Sequence, residues 1–147
     1  MSIVVDEARQ WIGTPWVHQA RTRGLGCDCV GLVGGVAVAL GAVHARWWEQ
    51  EFDLLHGGYA QTPGRQMLRA ACDKYMDRVA GAAQSGDVML MRFGPEPQHL
   101  AIYARSDDGA ETMIHAYSPA GRTVEHRINS AWKARIVAVY RLRGIAA

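Results

Sequence analysis

The chain has 147 residues, 49% hydrophobic and 20% charged, with a net charge of +2. This is the length of one domain able to bury its own core. The composition excludes a disordered chain, and the near-neutral charge speaks against nucleic acid as the main partner. Cys27, Cys29 and Cys72 make no disulfide framework, and no apolar run approaches a membrane span. The start, MSIVVDEARQWIG, lacks a basic opening and carries Asp6, Glu7 and Arg9 early, so it does not read as a secretory signal.

Val4, Ala8 and Trp11 fall on one stripe, which predicts a helix over residues 3–12, stopped by Gly13 and Thr14-Pro15. Residues 13–27 read as a polar, Gly-rich loop holding Trp16, His18, Gln19, Arg21 and Arg23. Asp28 then stands at the N-cap position of a second helix, Cys29 to Leu40, which Gly41 ends. That helix is apolar on every side and so is expected to be buried. Gly31, Gly34 and Gly35 weaken it and are expected to admit another backbone. A thiol in its first turn, Cys29, feels the positive end of the helix dipole and several unpaired N–H groups. Both favour thiolate, the nucleophilic form. Cys27 lies too close to Cys29 to bridge without strain, and no second cysteine pair suggests a metal site.

Residues 42–62 show no clear period: Trp47, Trp48 and Phe52 sit among charges, and Gly57-Gly58 breaks the segment. Thr62-Pro63 reads as the start of another helix, with Met67, Leu68, Ala71, Cys72, Tyr75 and Met76 as its apolar face and Cys72 a small core residue. Strand-like runs follow at Val88–Phe93, His99–Ala104, Thr112–Tyr117, Thr123–Ile128 and Ile136–Leu142, separated by short turn clusters. Short connections predict an antiparallel sheet. Asn129 to Ala134 reads as a single helical turn. Helices first and strands afterwards give an α+β layout in one domain over residues 1–147. From Arg122 onward six basic residues face one acid, Glu125. A solvated basic face is the plainer reading, and a docking surface for an acidic neighbour the sharper one.

A cysteine nucleophile needs a base, held in turn by a third polar group. Alternation places His99, Ala101 and Tyr103 on one face of their strand, and Met113, His115 and Tyr117 on one face of the next. A hairpin turn at Ser106–Ala110 brings the two imidazoles together, on the face expected to be covered by the Cys29 helix. One could take the thiol proton and the other fix its tautomer. His18, in the loop before the nucleophile, is the rival partner, whereas His44, His56 and His126 read as surface or edge residues. Neither H-E-x-x-H nor paired C-x-x-C spacing is present, so zinc is not indicated.

The pattern GTPW…GLGCDCVGLV, then SGDVMLM, HLAIYA and MIHAY, resembles the NlpC-type cysteine peptidases of bacterial cell walls, over about Ala8 to Leu142. Within that family it is most similar to the cell-wall peptidases of phage tails and gene transfer agents. The resemblance implies a papain-like fold, with N-terminal helices packed on a central antiparallel sheet and the nucleophile at a helix N-terminus. It implies Cys29 as nucleophile, His99 as general base and His115 as the residue orienting it. It also implies Trp16, His18 and Asp28 as oxyanion or substrate-binding residues, and neither metal nor organic cofactor. The substrate implied is a peptidoglycan stem peptide, cut next to a D-glutamyl residue, with tail-hub or tail-tip proteins as partners. The protein would be made in the cytoplasm and carried by the particle to the periplasm or wall. A catalytically impaired tail-tip subunit and an amidase or acyltransferase with the same triad are the alternatives. Two positions depart from the family pattern. Trp16 stands where the family often has the tyrosine that helps form the oxyanion hole, and Val30 stands where serine usually follows the cysteine.

Overall fold

Helix α1 (Ile3–Arg9) opens the chain, its first turn capped by the Ser2 hydroxyl, which accepts from the Val5 N–H. This computed structural model describes residues 2–56, 67–94 and 97–145. The loop after α1 is more ordered than its composition suggests. It folds into a short antiparallel pair, β1 (Arg21–Thr22) and β2 (Gly26–Cys27), directly before the central helix α2 (Cys29–Ala39). Helix α3 (Ala45–His56) occupies the stretch without a clear period, and α4 (Met67–Tyr75) follows. The Gly57-Gly58 break and the Thr62-Pro63 helix start lie outside the described residues, as does the His56 side chain.

The strands are β3 (Met76–Arg78), β4 (Val88–Arg92), β5 (Pro97–Arg105), β6 (Glu111–Tyr117), β7 (Arg122–Arg127) and β8 (Ile136–Leu142). A single 3-10 turn (Ser118–Ala120) and the short helix α5 (Ser130–Lys133) sit in the connections. Met76 is thus a strand residue, not the end of the α4 face. The sheet order is β3-β8-β4-β5-β6-β7, with every neighbouring pair antiparallel. The last strand therefore returns to the interior of the sheet, and β7 forms an edge.

Both faces of the sheet are covered. Leu90, Leu100, Ile102, Ala104, Ile114 and Ala116 pack against the helices, with Val4, Ala8, Leu32, Val36 and Leu68 among their partners. Met89, Met91, Ala101, Tyr103 and Met113 form a second cluster under Ile128, Trp132, Ile136 and Val139. No described helix is long and apolar enough to cross a membrane.

The three glycines of α2 serve different neighbours. A Cβ on Gly31 would lie 2.1 Å from the Ala20 carbonyl oxygen, so here a backbone does approach. Gly34 and Gly35 instead seat indoles: a Cβ would fall 1.8 Å from the Trp48 ring and 2.3 Å from the Trp11 ring. Trp48 is therefore wedged against the core at the helix that carries Cys29. The basic residues near the C-terminus are also largely used internally. Arg141 makes a bidentate pair with buried Asp87, and Arg127, Lys133 and Arg143 pair with Asp108, Glu111 and Asp77.

Gly31→Ala should be destabilising even though alanine favours a helix by about 1 kcal/mol. The obstacle is backbone, and overpacking costs about 1–3 kcal/mol. Urea denaturation should show a net loss of up to about 2 kcal/mol. A gain would mean that Ala20 moves aside freely.

Candidate active site

Cys29 sits at the first position of α2, and the Asp28 carboxylate builds the turn around it. Its Oδ1 accepts from the Gly31 N–H at 2.8 Å, and its Oδ2 accepts from the Gln19 N–H at 3.0 Å. The Ala20 carbonyl accepts from the Asp28 N–H. One buried carboxylate thus ties the preceding loop to the helix that carries the thiol.

The Cys29 thiol lies 3.9 Å from the Gln98 carbonyl oxygen, on β5 beside His99. Paired positions of β5 and β6 run from Arg105↔Glu111 to Ile102↔Ile114 and stop there. The Gln98–Ala101 stretch is therefore released from β6 while β6 stays paired to β7. The thiol meets the sheet where these two strands part.

His99 and His115 come together as expected from the alternation: Nε2 of His99 is 2.7 Å from Nδ1 of His115. Their layer differs from the expectation. Both share the alternation of Ala101, Tyr103 and Met113, the set beneath Trp132, and so lie on the sheet face away from α2. Cys29 belongs with the helix-side cluster. Alternation tells which residues share a face but not which layer covers it, and here both faces are apolar. Tyr117 stacks on the His115 ring at 4.9 Å, and Phe93 packs on His99 at 5.0 Å.

The histidine that sequence reasoning missed is His126. It is half-buried, and its Nε2 lies 2.8 Å from the His115 Nε2. β7 is indeed an edge strand, but the 3-10 turn sets the register Tyr117↔Arg122 through Met113↔His126. That register puts His126 on the histidine face, diagonal to His115. Counting back from the Ser118–Gly121 turn would have exposed the signal.

Trp16 is positioned through its backbone. Its N–H donates to the Gly121 carbonyl, it bridges to Cys27, and its ring stacks on His18 with centroids 6.2 Å apart. His18 is exposed and Trp16 half-buried, both on the segment that the Trp16–Cys27 bridge ties to the strand before Cys29. Cys27 is buried, and its Sγ is 3.3 Å from the Thr123 hydroxyl. Cys72 is a core residue, and His44 is exposed.

Burial decides the resting charges. It pushes the Cys29 thiol up to about 12, with the Asp28 charge adding, while backbone groups at Leu100, Val30 and Cys29 pull the other way. It pushes His99 down to about 3 and His115 to about 2, the latter aided by its histidine neighbours. The direction is opposite to the depressed thiol pKa expected from the helix terminus. A helix terminus contributes about 1 kcal/mol, whereas moving a thiol from 9 to about 12 corresponds to ~4 kcal/mol against the thiolate. Burial thus favours the neutral thiol and the neutral imidazoles. Among the described residues no three His, Cys, Asp or Glu side chains converge as metal ligands.

No curated protein matches the chain in sequence. Among solved structures it is similar to the NlpC/p60 domain of the peptidoglycan hydrolase SagA, with 21% identity and a TM-score of 0.58. The match covers 94% of this chain and 95% of that one. It is also similar to a lipoprotein-like NLP/P60 protein of Staphylococcus aureus, with 18% identity and a TM-score of 0.60. There it covers 99% of this chain but only 41% of that structure's length. These likenesses show a common fold. The NlpC/P60 family pattern itself matches residues 13–141, a span running from the loop before the thiol to the last strand, and the chain belongs to the NlpC/P60 family.

Proposed function

We propose that the protein is a cysteine peptidase that hydrolyses peptidoglycan stem peptides at a D-glutamyl-linked bond, carried by a phage-tail-like or gene-transfer-agent particle. One observation supports the chemistry above all. A capped helix N-terminus sets the Cys29 thiol against the Gln98 carbonyl of β5, next in sequence to His99, and His99 is hydrogen-bonded to His115. The particle assignment is supported by the motif stretch from Ala8 to Val36, and the tail hub or tail tip is the proposed partner.

With both groups neutral at rest, His99 takes the thiol proton as sulfur attacks the scissile carbonyl. Collapse of the tetrahedral intermediate breaks the C–N bond, and His99 gives that proton to the leaving amine. Water then attacks the thioester, His99 again holds the transferred proton, and breaking the C–S bond regenerates the thiol. His115 orients His99. Asp28 holds the thiol-bearing turn, and Trp16 and His18 flank the approach.

Digestion of purified murein, with new ends identified by mass spectrometry, tests this reading. New D-glutamyl ends are the expected result. Release of a different amide or ester fragment would move the assignment to an amidase or acyltransferase. The Trp16 indole N–H is assigned as oxyanion donor, so Trp16→Phe should lower kcat on the order of 100-fold, and Trp16→Tyr should keep most activity. Equal rates for Trp16→Phe and the parent would remove Trp16 from the oxyanion hole.

The second reading is an inactive structural subunit of the tail tip, and it draws on the burial that pushes the Cys29 thiol up, against the thiolate. Particles carrying Cys29→Ala separate the two readings. Entry into cells with undiminished efficiency would support the structural one.

A further inference from the structure

Three imidazoles on three neighbouring strands form one hydrogen-bonded line that ends on backbone. His99 Nε2 is 2.7 Å from His115 Nδ1, and His115 Nε2 is 2.8 Å from His126 Nε2. His126 Nδ1 is 2.9 Å from the Arg127 carbonyl oxygen. A carbonyl oxygen only accepts, so proton positions can be read from that end. His126 Nδ1 carries a hydrogen. In a neutral ring its Nε2 is then a lone pair, which accepts from the Nε2–H of His115. Nδ1 of His115 must accept in turn, from the Nε2–H of His99. The lone pair of His99 is left on Nδ1, the one nitrogen of the three rings that no described residue engages.

We propose that His126 is a positioning residue which, acting through His115, holds His99 in the tautomer whose Nδ1 can receive the Cys29 proton. The proposal rests on the hydrolytic reading given above. An outer group is needed because a histidine, unlike an asparagine or an aspartate, does not fix its own polarity. Either tautomer of His115 would satisfy the His99 Nε2, and the wrong one would place the proton on His99 Nδ1 and remove the base. The Arg127 carbonyl breaks that symmetry, and His126 transmits the choice. Trp132 packs on both outer rings, with centroids 5.3 Å from His115 and 5.1 Å from His126, and Tyr117 stacks on His115. These contacts hold the ring planes in which the line is continuous.

The test replaces His126 once by a side chain that can accept and once by an obligate donor, at an edge-strand site that is only half-buried. In His126→Gln the amide can offer its carbonyl oxygen to His115 Nε2–H, whereas in His126→Lys the ammonium can only donate. Murein hydrolysis by His126→Gln should stay within about threefold of the parent. In His126→Lys kcat should fall by at least about 100-fold with little change in KM, since the wrong tautomer of a catalytic histidine costs on the order of 10⁴ in a related triad. Equal losses in the two variants would overturn the proposal. A second measurement is independent of turnover and of any variant's folding: ¹⁵N NMR of the imidazole nitrogens in the parent protein at neutral pH. His99 should show a protonated Nε2 and a bare Nδ1, and a proton on Nδ1 overturns the proposal. Murein hydrolysis that survives Cys29→Ala would sink the cysteine-peptidase reading alone and leave the spectrum to decide the tautomer of His99.

Discussion

Cys29→Ala should abolish murein hydrolysis, lowering kcat by at least about 10⁴-fold, while the thermal midpoint moves by only ~2–4 °C. The two halves of this expectation have separate physical bases. The sulfur is the only protein atom in the proposed path that bonds to substrate carbon, so no neighbour can substitute for it. Cys27 is buried against Thr123, and burial raises its pKa as well. The fold depends little on the sulfur, because Asp28 and not Cys29 caps α2 and ties the preceding loop to it. Murein turnover measured beside a thermal melt checks both parts. Residual hydrolysis at a tenth of the parent rate would point to a different nucleophile, and a melt lowered by more than about 10 °C would mean that the thiol has a structural role.

Acid should unfold the protein earlier than its carboxylates require. Burial disfavours the charged forms of His99 and His115 and holds both well below the ordinary histidine value of 6.5 that they regain in the open chain. As pH falls below 6.5 the unfolded chain binds two protons that the folded chain refuses. The stability due to the neutral pair is complete above about pH 6.5 and is lost progressively toward the folded values. Between about pH 6 and 5 the slope of unfolding free energy should approach two protons, about 2.7 kcal/mol per pH unit. Urea denaturation across that window, where most carboxylates remain ionised in both states, measures it. A slope below about one proton would show that the pair accepts charge without unfolding. The sign also bears on the proposed chemistry: the base function proposed for His99 relies on its neutral form, and acid threatens the fold before it charges that ring.

Much of this architecture could be read from the sequence, and the unread parts share a physical cause. Strands β4 to β8 and the turn helix α5 were legible because alternation and turn residues are local signals. The start of α2 was legible because an N-cap is written in one side chain, Asp28. Strand β3 was not, since its three residues gain their structure by pairing with β8, far later in the chain. Helix α3 was obscured because Trp48 and Phe52, one turn apart, sit among charges, and their order comes from packing on α2 and on each other. At the site, Cys29, His99 and His115 could be named from motif and period. The covering layer, the contact of His126 with His115 and the upward push on the thiol pKa could not, since they depend on register and depth of burial.

The indole seats on α2 have one more consequence. Gly34 and Trp48 are two halves of one contact, as are Gly35 and Trp11, and each half is useless or harmful without the other. A side chain added to either glycine collides with an indole, and loss of either indole leaves a void beside a weakened helix. Inheritance should therefore act on these pairs as single characters. A lineage that loses one member can return to a sound fold only by changing its mate, so the rotation of the thiol-bearing helix is preserved by mutual constraint across the core rather than by any residue near the reaction.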